Sequence, residues 1–301
     1  MNIKQARYIQ AIAQYGTVTA AAKALYISQP SLSQTLRQVE DELGMPIFDR
    51  SVSPMVLTYA GEKYLQAAGR ILAANEQLEA QIRELKQERS GRIRLGISVS
   101  RAVQIIPKLL PMFRREYPDV AIELTEAGST ELEALLLNGR IDLALAAIEP
   151  TTPGIVYQLV ERETIGLLAG KGSRLARSYP PGTPLPLSAA AGECFVSLTR
   201  GHSSRLIQDT LFRQYGISPA ILLESGSLEV CRRLTLEAGA CMILPSVYAD
   251  ETIQMMGGVF FPLADYETRR HFYACTRKGD FIPRYVRDLI CMVGKVLSSG
   301  T

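Results

Sequence analysis

The 28 residues from Thr17 to Gly44, TVTAAAKALYISQPSLSQTLRQVEDELG, decide the reading of the N-terminal part of the chain. Thr17 is placed to cap a short helix whose Ala20, Ala21, Ala22 and Leu25 are small enough to let another helix approach. A second, longer helix is expected from Pro30 to Leu43, with Ser28 or Gln29 at its start and Gly44 at its end. Leu32, Leu36, Val39 and Leu43 form its apolar face, and its leading face is polar. Upstream, Ile3 to Tyr15 carries Ala6, Ile9, Ile12 and Ala13 at helical spacing and stops at Gly16. Short helix, tight turn and longer helix make the helix-turn-helix arrangement.

Downstream, two apolar pieces, Ile47-Phe48 and Met55-Val56-Leu57, flank Asp49 to Pro54 and read as a small hairpin or wing. From Tyr59 a helix without proline is expected as far as Arg89. In it Tyr64, Ala68, Ile71, Asn75, Leu78, Ile82 and Leu85 follow alternating spacings of 4 and 3, the pattern of a heptad seam. The charged flanks Glu76, Glu79, Arg83, Glu84, Lys86 and Glu88 suit a helix that pairs with a second copy; packing on the protein's own domain is the alternative. Ser90 and Gly91 make a hinge.

After Arg92 the rhythm changes to strand, helix, strand, helix, which implies a mostly parallel sheet covered by helices. One set runs from Ile93 to Ile148. A second set follows a change near Glu161 to Thr164, with strands at 165–169, 194–198, 220–224 and 240–244 and helices at 203–215 and 227–238. Two sheets in one segment suggest two lobes around a cleft.

Length, at 301 residues with 47% hydrophobic and 21% charged content, suffices for two or three cores. No apolar run approaches the ~20 residues of a membrane span and no secretion signal opens the chain, so a cytoplasmic location is expected. The five cysteines are odd in number and widely spaced, without a disulfide or metal pattern. The net charge is only +3, yet Lys4, Arg7, Lys23 and Arg37 precede the first acidic residue, Glu40. Such an asymmetry suits a surface facing phosphates.

Ligands of open α/β sheets bind beyond the carboxyl ends of the strands. Four such loops carry hydroxyl or glycine residues: Ser98-Val99-Ser100-Arg101, Gly128-Ser129-Thr130, Thr199 to Ser204, and Ser225-Gly226-Ser227. Each can cap a helix, and together they can present N–H groups and hydroxyls to an anion. Arg200 and His202 add positive or switchable charge, so a small anionic effector is expected. With His202 and His271 as the only histidines, and no GxSxG, P-loop or GxGxxG, the chain shows no catalytic, cofactor or metal signature. Cys194 and Cys231 keep a thiol switch open as an alternative.

The residues Gly16-Thr17, Ala21-Ala22, Leu25, Ser28-Gln29-Pro30-Ser31-Leu32-Ser33, Glu40, Leu43-Gly44, Phe48, Arg50 and Leu57-Thr58-Tyr59-Ala60-Gly61 form an ordered set. Through it the chain resembles the LysR-type transcriptional regulators. A looser likeness continues through Ile93–Ser98, Pro107, Phe113, Tyr117-Pro118, Gly139–Leu145 and Ala238–Pro245.

The resemblance implies a winged helix-turn-helix at 1–58, a linker helix at 59–90 and an effector domain at 91–301. The effector domain would have the two-lobed α/β fold of type II periplasmic binding proteins, with lobe I at about 92–161 and 267–301 and lobe II at about 162–266. It further implies a third helix in the major groove of a two-fold DNA operator. Gln29, Pro30, Ser33 and Gln34 would lie near base edges, Thr19, Ser28, Ser31 and Arg37 nearby, and Arg50 on the wing.

Gln can pair with adenine, and Pro30 can touch a thymine methyl; Ser31, Ser33 and Arg37 suit phosphates. Gln34 stands where the family very often has Arg, which favours adenine or a water-mediated contact. For the effector, Ser98, Ser100, Arg101, Gly128, Ser129, Ala147, Thr199, Arg200, His202 and Gly226 are the candidates. Pairing of linker helices into dimers and of dimers into a homotetramer, and contact with RNA polymerase, also follow from the resemblance. A two-lobed solute-binding protein or enzyme is the remaining alternative, and the N-terminal 90 residues separate it from a regulator.

Overall fold

The computed structural model describes residues 1–86, 90–264, 266 and 270–298, with the side chains of Arg83 and Leu85 outside the description. Its first helices are α1 (Ile3–Tyr15), α2 (Val18–Ala24) and α3 (Gln29–Leu43). Each end has a local cause. Asn2 and Gln5 exchange side-chain and backbone hydrogen bonds at 2.8 and 2.9 Å, and the Thr17 hydroxyl accepts from Ala20 N at 3.1 Å. Left-handed Gly16 and Gly44 terminate α1 and α3. Ala6, Ile9, Ile12, Ala21, Ala22, Leu32, Leu36 and Val39 pack into one core beneath Ile47 and Phe48.

The wing is a two-stranded ribbon, β1 (Phe48–Asp49) against β2 (Val56–Leu57), followed by α4 (Tyr59–Leu85). Thr58 joins them: its hydroxyl accepts from Gly61 N at 3.0 Å and donates to Pro46 O at 2.7 Å. A Cβ on Gly61 would fall 2.1 Å from the Ile47 carbonyl oxygen, so only glycine lets α4 pass this close to the wing.

The first half of α4 belongs to this core, through Tyr64, Ala68 and Leu72. From Gly69 onward the helix also lies on the following domain. A Cβ on Gly69 would meet Asn138 O at 2.4 Å, Glu76 pairs with Arg92 at 2.6 Å and Arg94 at 2.9 Å, and Glu84 accepts from Arg287 at 3.2 Å.

The expected single seam therefore divides. Tyr64 and Ala68 are consumed by the protein's own core, whereas Ile71, Leu78 and Ile82 stay exposed at 38%, 55% and 44%. Asn75 donates to Glu79 on its own helix at 2.9 Å. Of the remaining expectations here, Glu88, the helix end at Arg89, the lobe I return at 267 and the side chains of Arg83 and Leu85 lie outside the described residues.

Lobe I comprises β3 (Gly91–Ile97), α5 (Val99–Glu116), β4 (Val120–Glu126), α6 (Ser129–Leu137), β5 (Leu143–Ala147) and β6 (Ile155–Glu163). Lobe II follows with β7 (Ile165–Ala169), α7 (Arg174–Ser178), β8 (Phe195–Leu198), α8 (Ser203–Gln214), β9 (Ile221–Ser225), α9 (Leu228–Ala238), β10 (Cys241–Pro245), α10 (Glu251–Met255) and β11 (Val259–Pro262). The chain then returns to lobe I through β12 (Arg270–Arg277) and α11 (Arg284–Ser298).

The sheets have the orders β4-β3-β5-β12-β6 and β11-β7-β10-β8-β9. Each is mostly parallel, as expected, with one strand, β12 or β7, running against the other four. β3 runs parallel to β4 and β5, and β8 to β9 and β10, but β12 is antiparallel to β5 and β6, and β7 to β10 and β11. The cause is the crossover: β7 and β12 enter their lobes from the cleft edge, where the parallel strands end.

Candidate functional site

Two regions carry exposed chemistry. On α3, Ser28, Gln29, Pro30, Ser31, Gln34 and Arg37 are exposed and Ser33 is half-buried, while Thr19 is exposed on α2. The apolar side of α3 is buried at Leu32, Leu36 and Val39, which fixes the polar side outward. Ser28 caps α3 with its backbone only, so its hydroxyl and the first-turn N–H groups stay available, and Pro30 sits where a missing N–H costs nothing. Arg37 has no ion-pair partner among the described residues.

Arg50 stands just past β1, on the wing as expected. Its guanidinium binds the Glu40 carboxylate, whose other oxygen accepts from Ile47 N at 2.9 Å. Glu40 thereby ties α3 to the wing, while the Arg50 side chain stays 48% exposed.

The second region is a cavity of about 550 Å³ between the lobes. Ser129, Thr130, Ala147, Glu149 and Thr151 line it from lobe I, Arg200, His202, Ser203 and Arg205 from lobe II, and Arg270 and His271 from the crossover strand. Of the ten residues expected at an effector, four line this cavity: Ser129, Ala147, Arg200 and His202. Ser129 is held by its hydroxyl on Ala147 O at 3.1 Å.

The other six stand outside the lining. Ser98 and Gly128 are backbone caps of α5 and α6, and Ser100 lies in the first turn of α5. Thr199 and Gly226 face each other at the ends of β8 and β9, a Cβ on Gly226 lying 3.7 Å from Thr199 Oγ1.

Arg101 is the clearest departure. It is 2% exposed, stacked 4.0 Å from the centroid of the Phe272 ring, bound to Glu161 and 3.6 Å from the carboxylate of Glu163. A guanidinium so enclosed holds the crossover together; it does not reach the cavity.

Glu163, fully buried, also binds Arg270 Nε, and Arg270 donates to the Ser203 and Ser204 hydroxyls at 2.9 and 3.2 Å. Gln104 reaches from α5 to Val247 O at 2.6 Å. These contacts fasten both lobes at the hinge. The sequence reading missed Glu163, Arg205, Arg270 and His271; acidic residues at 161 and 163 where the chain changes lobes were the available signal.

Charge accounting separates the cavity's cations. Arg205 is taken up by Asp209 and Glu224, each at 2.7 Å, and Arg270 by Glu163. The side chains of Arg200, His202 and His271 make no ion pair or hydrogen bond among the described residues, and the His271 ring lies 6.0 Å from that of Tyr273.

Three of the five thiols are enclosed. Burial pushes the Cys231 thiol above its usual range, and those of Cys241 and Cys275 up to about 12. A protonated, enclosed thiol is a weak nucleophile. Cys194 is half-buried and Cys291 exposed. Among the described residues there is no cluster of metal-ligating side chains, and no helix is long and apolar enough to cross a membrane.

The winged head matches the model of the bacterial regulatory helix-turn-helix protein, lysR family, over residues 3–62, and the two-lobed part matches the LysR substrate binding domain over residues 86–298. The chain belongs to the LysR family of transcriptional regulators.

Among its LysR relatives, the Hca operon transcriptional activator HcaR of Escherichia coli is 30% identical over 305 residues, covering 100% of both chains. The uncharacterized HTH-type transcriptional regulator YybE of Bacillus subtilis is 28% identical, covering 82% of this chain and 83% of that one. A full-length OxyR variant from Pseudomonas aeruginosa superposes with a TM-score of 0.75 at 23% identity, covering 97% of this chain and 94% of that one. Full-length CbnR complexed with its target DNA gives 0.65 at 24% identity, covering 98% and 100%. At those identities the solved structures speak for the fold.

Proposed function

We propose that this LysR-type regulator reads a two-fold symmetric operator with α3 and answers to a small anionic effector in the interlobe cavity. The observation that carries the DNA assignment is the single outward polar face of α3, from Ser28 to Arg37, backed by a fully apolar inner face. Gln29, Pro30 and Gln34 address base edges, Ser28, Ser31, Ser33, Arg37 and Thr19 the backbone, and Arg50 stiffens the wing through Glu40. Gln34 favours adenine or a water-mediated contact at its position.

The observation behind the effector class is the set of three basic side chains without an ion pair, Arg200, His202 and His271, that line the cavity with Ser129 and Thr130. Ser98, Ser100, Thr199 and Gly226 shape the strand ends around it, and Gly128 starts α6; Arg101 acts on the hinge. Effector binding changes lobe closure and thereby the spacing of the heads, the bend of the DNA and contact with RNA polymerase.

The exposed Ile71, Leu78 and Ile82 support pairing of linker helices. Ile221, Leu222 and Leu223 on the β9 edge, 38–51% exposed, support side-by-side association of effector domains into a homotetramer. The protein works in the cytoplasm, with functional units at 1–58, 59–90 and 91–301.

Operator binding by a Gln29→Ala variant tests the head: sequence-specific affinity equal to wild type refutes the role of α3. A thermal-shift screen of small carboxylates tests the cavity, since a ligand of the folded state raises the melting temperature. Stabilisation that survives Arg200→Ala with His202→Ala refutes the site.

A further inference from the structure

Tyr26 combines two properties that folding alone does not explain. Its backbone is left-handed, at φ 55°, and it is the only such residue other than glycine among those described. Its side chain is 96% exposed.

The turn dictates the backbone. Tyr26 N donates to Lys23 O at 3.2 Å and Ile27 N to Ala22 O at 3.0 Å, the paired bonds that end a helix on a left-handed residue. Glycine is the usual occupant of that position, because a side chain there crowds the following carbonyl. Ile27 packs into the head core, but Tyr26 returns no burial for its strain.

A bulky residue kept in a strained conformation, with its ring in solvent, points to a contact outside the chain. The position identifies the partner. Tyr26 stands in the turn between α2 and α3, two residues before Ser28, with exposed Lys23 three residues behind it.

We propose that Tyr26 is a DNA-contacting residue, its ring lying on a deoxyribose and its hydroxyl donating to a phosphate oxygen beside the first turn of α3. This rests on the reading that α3 enters the major groove. Tyrosine suits the backbone because its hydroxyl is a neutral donor and its ring covers the apolar face of a sugar. It positions the helix without reading a base.

The test uses the full-length protein, a duplex from the DNA immediately upstream of its own gene and a random-sequence duplex. Tyr26→Gly removes ring and hydroxyl while fitting the left-handed turn. Its melting temperature should equal or exceed that of wild type, and its affinity for both duplexes should fall about tenfold, the scale of one hydrogen bond to a charged group. The slope of affinity against salt should stay unchanged, because no cation is lost, whereas Arg37→Ala should lower it by about one.

Tyr26→Phe isolates the hydroxyl, and recovery of wild-type affinity in that variant overturns the phosphate contact. Affinity of Tyr26→Gly within twofold of wild type, or a clear fall in its melting temperature, overturns the proposal. Gln29→Ala, measured alongside, separates the two levels. If it loses operator binding while Tyr26→Gly does not, only this inference fails; if both bind like wild type, the reading of α3 fails with it.

Discussion

Removing the carboxylate of Glu163 tests how the two lobes are fastened. Glu163 is fully buried between Arg270, whose side chain is 8% exposed, and Arg101, whose side chain is 2% exposed. In Glu163→Ala, Arg101 keeps Glu161, but Arg270 keeps only the hydroxyls of Ser203 and Ser204. One buried guanidinium is left without a counter-charge, which costs about 3–5 kcal/mol.

At roughly 2–4 °C per kcal/mol for a domain of this size, the melting transition of the effector domain should fall by roughly 6–20 °C in calorimetry of the full chain. The double variant Glu163→Met with Arg270→Met removes both charges and should lose far less, because an apolar pair of similar volume leaves no orphaned ion. A fall of less than ~1 kcal/mol in the single variant, or equal losses in single and double variants, would refute the charge argument and leave only packing.

Gly61→Ala drives a methyl group to 2.1 Å from Ile47 O and must displace the wing from α4; a cost of about 1–3 kcal/mol is expected, read by urea unfolding, with weaker operator binding. Alkaline pH should weaken the fold. Burial lifts Cys241 and Cys275 from 9.0 to about 12, and Tyr117, Tyr157 and Tyr248 from 10.0 to about 12. The folded state thus holds protons that the unfolded chain releases. Its advantage is complete below about pH 9 and lost progressively as pH rises toward 12, so the urea midpoint should drop from about pH 9 upward. Alkylation of the native protein at pH 8, followed by peptide mass spectrometry, should label Cys291 first and Cys194 next, with Cys231, Cys241 and Cys275 protected until unfolding.

The head was legible because its signals are local. Gly16, Thr17, Gly44 and Thr58 act on neighbours within a few residues, and the apolar spacing of α3 names its buried side directly. The strand directions of the lobes were less legible. Whether β7 and β12 run with or against their neighbours depends on where the chain crosses between lobes, a long-range property that alternation of elements does not encode.

The linker seam was half legible. Tyr64 and Ala68 have the same spacing as Leu78 and Ile82, but only the first pair meets the protein's own core. At the cleft, Ser129, Ala147, Arg200 and His202 followed from their places after strands. Arg101 occupies such a place as well, and no local signal distinguishes a guanidinium bound for a ligand from one bound for Glu161.

The two halves of α4 explain how a change at the cleft can reach the DNA-reading head. Its N-terminal half is core of the head, through Tyr64, Ala68 and Leu72, and cannot move independently of α1 and α3. From Gly69 onward it also rests on lobe I, through the close approach of Gly69 to Asn138 O and of Ala73 to Gly139 and through the Glu76 pairs with Arg92 and Arg94. At Gly69 the backbones of helix and lobe meet without a side chain between them. The hinge, by contrast, is polar: Arg101, Glu161, Glu163 and Arg270 join the lobes through directional contacts that have alternatives in a shifted arrangement. On the function proposed above, a turn of lobe II on that hinge leaves lobe I, α4 and the head as the stiffer side, and the spacing between heads would follow from subunit contacts rather than from bending within α4.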